Sequence, residues 1–403
     1  MAYTAVKGGA NAIAAAEKLI QEPLIADGER SLELGQIGSQ LTAAVDKVMG
    51  EGGLYAPELA ALAVKQVEGD LFEASFMLRA YRSTLPRFGY SLPAHGSQMR
   101  VMRRISSTFR DIPGGQLLGR TRDYTQRLLN IGELAQVRNG HNGVHVNGST
   151  AEAGAGAAEP NGNGTAAPSH FPKVADVMRA MGIMNPVADG DLDDVGQEPD
   201  DITRDSMRFP VSRTAWLQAL ARGESGAMVC LAYSGMRGYG GGGHGTIAEL
   251  RVGDLPLRVT HPLSGEPVTI GQYRVTEVEM TGQEKAPRSS QTKTGGYGLS
   301  YGLVFGQHER KAIAMAQLDS SLQAKAPVEG DPAPSNDQEM VLYHIDGIES
   351  FGFVEHLKLP HFVTFGSGLQ LKLERDDERA TGSPNGSGNG AEAKGDARGD
   401  NDL

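Results

Sequence analysis

Residues 139–168 read NGHNGVHVNGSTAEAGAGAAEPNGNGTAAP, a run of Gly, Ala and Asn with little apolar bulk and no helical or strand period. A segment of this kind cannot bury enough surface to offset the entropy of ordering it. Any core must therefore form from the chain on either side. The sequence predicts a mainly helical domain at 1–136 that carries an arginine-rich block, a flexible linker at 137–168, a mixed α/β domain at 169–375 and a disordered tail at 376–403. His141 and His145 fall in the linker and read as solvated.

The two flanking parts differ in period. In the first, Leu34, Ile37, Leu41, Val45 and Val48 recur at helical spacing until the GEGG break at 50–53. Pro57 suits the first turn of a second helix, and Asp70 with Glu73 suits the start of a third that runs to about Thr84. In the second part, Ser212 can cap a short helix through Trp216. The apolar run GAMVCLAY at 226–233 predicts a buried strand, with Cys230 a small buried residue. TIAELRV (246–252) and VTIGQYRVTEVEM (268–280) alternate as strands do, and YGLVFG (301–306) runs as a strand into the helix ERKAIAMAQLDSSL.

This order predicts an α+β fold: a helical N-terminal part, then a mixed, partly antiparallel sheet with helices. There is no βαβα alternation and no repeat, which excludes Rossmann and TIM-barrel architectures. The glycine run SGMRGYGGGGHG (234–245) lacks the GK[ST] of a P-loop, and no glycine cluster joins a strand to a helix as a dinucleotide fingerprint does.

The net charge of -11 is carried by segments of low apolar content, chiefly 189–201, the linker and 374–403. Against this, residues 79–127 hold ten arginines facing only Asp111 and Asp123. Such a block suits planar, multidentate recognition of phosphate or phosphonate oxygens, and equally suits a solvated face paired with the acidic stretch. Nucleic-acid binding is disfavoured, because the arginines are not interleaved with a stacking platform and the whole chain is acidic. A single cysteine excludes an intramolecular disulfide and a cysteine-ligated cluster built by this chain alone. No 18-residue apolar run and no signal-peptide pattern occurs, so a soluble cytoplasmic protein without membrane contact is expected.

Four constellations could carry chemistry. In His356-Leu-Lys-Leu-Pro-His361, two imidazoles on a turn either supply half of a four-coordinate zinc site or are paired surface histidines. Arg237 and Tyr239 near Tyr233 and His244 read as a mobile loop that clamps a nucleotide, or as a surface turn. Glu277 and Glu279 share one strand face by period two, which serves acid–base work or marks an exposed face. Glu309 and Arg310 open a helix, where Glu309 can stabilise the start.

AVKGG (5–9), LAALAVKQ (59–66), LRAYRSTL (78–85), MRVMRRIS (99–106), DIPGGQLLG (111–119) and DYTQRLL (123–129) form a set of matching motifs. EPDDITR (198–204), LAYSGMRGYG (231–240), YGLVFGQHERKAIAMA (301–316) and GFVEHLKLPHFV (352–363) continue it. Through them the chain resembles the PhnI family, a core subunit of the bacterial carbon–phosphorus lyase complex. The resemblance covers nearly all of the chain outside the linker and tail; the glycine run at 241–243 departs from it.

The resemblance implies displacement of adenine from ATP by an alkylphosphonate at the ribose anomeric carbon, giving alpha-D-ribose 1-methylphosphonate 5-triphosphate, with nucleosidase activity when the subunit is alone. It implies the partners PhnG, PhnH, PhnJ, PhnL and PhnK, a homodimer within a larger complex, and ATP with magnesium as substrate. Arg79, Arg82, Arg103 and Arg104 become candidates for holding phosphates, with Arg237, Tyr239 and Arg310 as further nucleotide contacts. Glu277, Glu279 and Glu309 form the shortlist for the catalytic acid. The family's paired histidines fall on His356 and His361, associated with zinc near the PhnJ interface. The main rival reading is a non-catalytic scaffold subunit.

Overall fold

The structure, a computed structural model, describes residues 9–21, 31–132, 171–184, 199–239, 244–283, 296–324, 333–359 and 361–380. The linker and tail of the sequence analysis thus lie outside the described residues, apart from the last residues before Ala380. The chain divides into two compact units, Met1–Ser350 and Phe351–Leu403.

In the first unit, α1 (Gly9–Gln21) precedes a helical cluster of α2 (Leu34–Gln40), α3 (Thr42–Gly52), α4 (Pro57–Gln66) and α5 (Leu71–Thr84). The expected single helix from Ser31 is broken at Leu41, which is half exposed and leaves helical geometry. Ile37, Val45, Val48 and Met49 still bury together with Ala60, Val64, Ala74 and Leu78. Gly53 ends α3 in the left-handed conformation (φ 67°), Pro57 opens α4, and the Asp70 carboxylate accepts from Phe72 N and Glu73 N to start α5.

Helical character stops there. β1 (Arg100–Ile105), from the arginine block, joins a four-stranded antiparallel sheet of order β1-β2-β3-β4, with β2 (Thr246–Thr260), β3 (Pro267–Gln283) and β4 (Tyr297–Phe305). The strands predicted from alternation all form. The helices of the second part are α6 (Val174–Ala180), α7 (Arg213–Arg222), α8 (Ser225–Ser234), α9 (Glu309–Gln323), α10 (Gln338–His344) and α11 (Gly347–Glu355). Ser212 caps α7 by accepting from Ala215 N.

The expected strand at 226–233 is instead helix α8. A short apolar run does not reveal its period, and Glu224 decides the matter: its carboxylate accepts from Gly226 N and Ala227 N, capping a helix at that point. Met228 and Ala232 then bury one helical turn apart, and Cys230, on another face, is exposed rather than buried.

α9 packs on one face of the sheet, where Leu250, Val252, Val278, Met280 and Val304 meet Ala312, Met315 and Leu318 in the largest core. The approach is close enough that a Cβ on Gly302 would collide with the Ala312 carbonyl. In the second unit, a short turn (His356–Lys358) leads to α12 (Phe362–Ala380). No helix among the described residues is long and apolar enough to cross a membrane.

Candidate functional site

Odd-numbered residues of β3 point away from α9. The register sets Arg104 of β1 opposite Arg251 of β2, which is opposite Glu277 of β3; one step along, Glu249 pairs with Glu279 and Glu279 with Tyr301 of β4. The two acids are not on an exposed face: Glu277 is 3% and Glu279 5% exposed. Arg251 grips Glu277 Oε2 through both Nε (2.9 Å) and Nη2. Tyr301 donates its hydroxyl to Glu277 Oε1 at 3.0 Å. Lys173, just before α6, bonds Glu277 Oε1 at 3.2 Å and Glu279 Oε1. Gly96 closes over the group; a Cβ there would stand 2.7 Å from Arg251 Nη2 and 2.8 Å from Glu277 Oε1.

These surroundings separate the two carboxyls. Burial would raise Glu277, but the Arg251 and Lys173 charges outweigh it and hold the group below the ordinary glutamate range. At Glu279 burial prevails over the Lys173 charge, Glu277 adds repulsion, and the carboxyl is raised. Glu279 Oε2 is buried with no hydrogen-bond partner among the described residues. Burial and the Glu277 charge push the Tyr301 phenol well up, so it remains a hydrogen-bond donor. Lys173 is raised: burial opposes its charge, and Glu279 and Glu277 overcome that. Two adjacent acids pushed apart in proton affinity can divide the roles of proton donor and charge stabiliser.

The arginines separate into occupied and available ones. Arg104 is fully buried, pairs with Glu249, donates to the carbonyls of Pro113, Gly115 and Pro172, and lies over the Phe171 ring. Arg103, also buried, pairs with Asp123 and with Glu309 at 2.8 Å and donates to Leu118 O. A phosphate would have to displace these partners. Arg79 bonds Asp346 at 2.8 Å and the Glu51 carbonyl at 2.9 Å. Arg82 donates to Gly53 O and makes no ion pair with the described residues. Arg237 stacks on Tyr233 in an exposed turn, Arg310 is exposed at the start of α9, and the Tyr239 side chain lies outside the described residues.

A second polar cluster gathers where α3, α5, α7, α8 and α9 meet. Glu51, fully buried, accepts from Lys47, Ser225 N and Oγ, and Ser75 Oγ. Lys311 of α9 is fully buried, and its Nζ has no hydrogen-bond partner among the described residues. Burial lowers it to about 8, with Glu51 opposing and Lys47 and Arg79 adding repulsion. His308 falls to about 3 through burial and the Lys311 and Lys47 charges.

The family model described as "Bacterial phosphonate metabolism protein (PhnI)" matches residues 2–378. The chain belongs to the PhnI family. It is 43% identical over 386 residues to the "Putative C-P lyase subunit protein HtxH" of Stutzerimonas stutzeri, covering 95% of this chain and 98% of that one. It is 42% identical to the "Alpha-D-ribose 1-methylphosphonate 5-triphosphate synthase subunit PhnI" of Rhizobium meliloti, over 94% of this chain and 96% of that one. The protein of the same name from Escherichia coli is also 42% identical, over 94% of this chain and all of its own length.

His356 and His361 sit in the second unit. The rings of His356 and His361 are 5.4 Å apart between centroids. Each Nδ1 meets a backbone carbonyl, Phe353 O for His356 and Leu359 O for His361, which fixes the tautomer and leaves both Nε2 atoms as ligands. Zinc-bound histidines are oriented in this way. No group of three His, Cys, Asp or Glu able to hold a metal occurs among the described residues. Alone, the pair could supply at most two imidazole ligands to a metal.

Sequence reasoning missed Lys173, Arg251, Arg222, His308 and Lys311. Arg251 was detectable, since Glu249 and Arg251 repeat the period-two pattern of Glu277 and Glu279. Lys311 lies in the helical stripe 308, 311, 315, 318, 322, which marks it as inward-facing. Nothing local singles out Lys173.

Proposed function

We infer that this PhnI subunit acts in the carbon–phosphorus lyase pathway and displaces adenine from ATP by an alkylphosphonate at the ribose anomeric carbon. On its own it would release adenine to water. The names of the relatives support the pathway, and the observation that carries the chemistry is the buried Glu277–Glu279 pair with divided proton affinities.

In this reading the C1′–N9 bond breaks with its electron pair leaving on adenine, and Glu279, whose proton affinity burial raises, takes up a proton and delivers it to the departing base. Glu277, held ionised by Arg251 and oriented by Tyr301, stabilises the oxocarbenium-like ribose. A phosphonate oxygen, or water, then forms the new C1′–O bond. Lys173, in contact with both acids, stabilises the Glu279 carboxylate left behind. Glu309, paired with Arg103, is the remaining member of the shortlist. Magnesium enters with the triphosphate as substrate. His356 and His361 would hold zinc as a structural ion together with ligands of a partner subunit, PhnJ by resemblance, in a complex with PhnG, PhnH, PhnL and PhnK. Metal analysis of that complex should show zinc lost from His356→Ala; full retention overturns the assignment.

Incubation of the purified chain with ATP should yield free adenine, and ATP plus methylphosphonate with the partner subunits should yield the triphosphate product by mass spectrometry. Unchanged adenine release from Glu277→Gln, Glu279→Gln and Glu309→Gln would show the shortlist to be wrong. A scaffold role is the second reading, favoured by the exposed apolar residues of the second unit, among them Phe353, Leu357, Phe362 and Phe365. A chain with no adenine release in any assembly would establish it.

A further inference from the structure

A cavity of about 320 Å³ adjoins the acid face. Its apolar wall comes from Tyr273 and Val275 of β3 and Leu303 and Phe305 of β4. Leu303 is the register partner of Glu277, and Val275 lies two residues before it, so this wall shares a strand face with the candidate acid, which does not itself line the cavity.

Arg82 of α5 and Arg222 at the end of α7 line the same cavity. Both approach Gly53, where a Cβ would collide with Arg82 Nη1 and stand 3.5 Å from Arg222 Cδ. Arg79 is their neighbour, but its charge is matched by Asp346. Neither Arg82 nor Arg222 has a carboxylate within ion-pair distance among the described residues. Burial, and repulsion among the three arginines, lower the proton affinity of both guanidinium groups. Asp201 acts on Arg82, and Asp346 and Glu349 on Arg222, without overcoming this. Two half-buried cations with no directly paired carboxylate at one end of an apolar cavity are electrostatically unfavourable, and a bound anion relieves that. A carboxylate would neutralise one of them; a tetrahedral dianion matches both and suits the guanidinium fork.

We propose that this cavity is a binding subsite for a phosphorus oxyanion, a phosphonate or phosphate group, held by Arg82 and Arg222 with an apolar substituent of the ligand against Val275, Leu303 and Phe305. Its place on the strand face that carries Glu277 gives it meaning within the proposed reaction, on which that part of the inference rests. Binding itself does not depend on the reaction.

The test is binding to the full chain by calorimetry and by shift of the thermal midpoint, with inorganic phosphate, methylphosphonate, ATP and acetate as separate probes. At least one phosphorus ligand should bind and raise the midpoint, and acetate should not. Binding by methylphosphonate identifies a phosphonate subsite, binding by ATP alone a nucleotide phosphate subsite. Arg222→Gln and Arg82→Gln should each weaken that binding about tenfold or more, with Arg82→Lys intermediate and Lys65→Gln unchanged. Without ligand, Arg222→Gln should melt no lower than the parent, because burial and the Arg79 charge outweigh the Asp346 and Glu349 charges at this group. No binding by any phosphorus ligand, or equal binding by the arginine variants, overturns the proposal. Loss of adenine release in Glu277→Gln alongside normal binding in Arg222→Gln would refute the subsite and leave the reaction standing. Phosphate binding that needs both arginines, without adenine release, would do the reverse.

Discussion

On the sheet face turned away from α9, three carboxylates (Glu249, Glu277, Glu279) meet three cations (Arg104, Arg251, Lys173) at ion-pair distance. At the helical junction, five basic side chains (Lys47, Arg79, Arg82, Arg222, Lys311) share three carboxylates, Glu51, Glu224 and Asp346, with the exposed Glu349 at the rim. The first region is balanced, and its perturbed groups differ because one acid takes most of the hydrogen bonds. The second carries excess positive charge and leaves Lys311 Nζ and His308 Nδ1 without a hydrogen-bond partner, and two cavity arginines without an ion pair, among the described residues. Burial of charge thus does two things in one chain: matched, it fixes which strands pair; unmatched, it prepares a place for an anion.

The contrast can be broken most sharply at the sheet. Glu279→Gln should lower adenine release about 10²–10⁴-fold, the usual loss when a general acid is removed, with little change in melting. A fall below tenfold would move the chemistry elsewhere. Arg104→Ala should then test the structural half of the same face. It leaves buried Glu249 without its ion-pair partner, and chemical denaturation should show a loss of about 3–5 kcal/mol, the usual cost of breaking a buried pair.

At the junction the sign reverses. Lys311 titrates at about 8 in the folded chain against an ordinary lysine value of 10.5, so between those limits the unfolded chain holds a proton that the folded chain has released. Its contribution to stability therefore rises with pH from about 8 to 10.5, and below 8 the full penalty applies. Lys311→Met should melt higher than the parent at pH 7, by up to about 3 kcal/mol, and the gain should shrink by about pH 10. A variant less stable at pH 7 would mean that Lys311 has a partner in the folded state. His308 acts in the acid range: with its folded value near 3 against 6.5, stability is present above 6.5 and is lost as pH falls through the folded value. His308→Gln should reduce that acid dependence. Smallest of all, Asp201→Asn removes an exposed contact with Arg87 and should shift stability by less than about 1 kcal/mol.

Much of the fold was legible. Alternation in 246–252 and 268–280 marks half-buried strands because one face meets α9 and the other carries the charges. The run at 226–233 misled because its helix is dictated by a cap, Glu224, just outside the apolar residues. The site was legible as residue types and not as an arrangement. Glu277 and Glu279 stand out by spacing, but their burial depends on Lys173, whose partners lie 104 and 106 residues further along. The arginine block was visible as a count, yet Arg103 and Arg104 proved to be bound to carboxylates and carbonyls, while the available pair includes Arg222 from outside the block.

The pairing of β1 with β2 also bears on how the chain is made. Arg104 of β1 meets Arg251 of β2 across the ladder, roughly 150 residues later in synthesis. At about 5–20 residues per second, the ribosome needs about 7–30 s to deliver that partner. Throughout this interval the edge of β1 is unpaired, and its adjacent arginines keep it charged and poorly suited to stick to another nascent chain. The side chains that end as buried ion-pair partners are thus, on the unpaired strand, charges of the kind that disfavour edge-to-edge association.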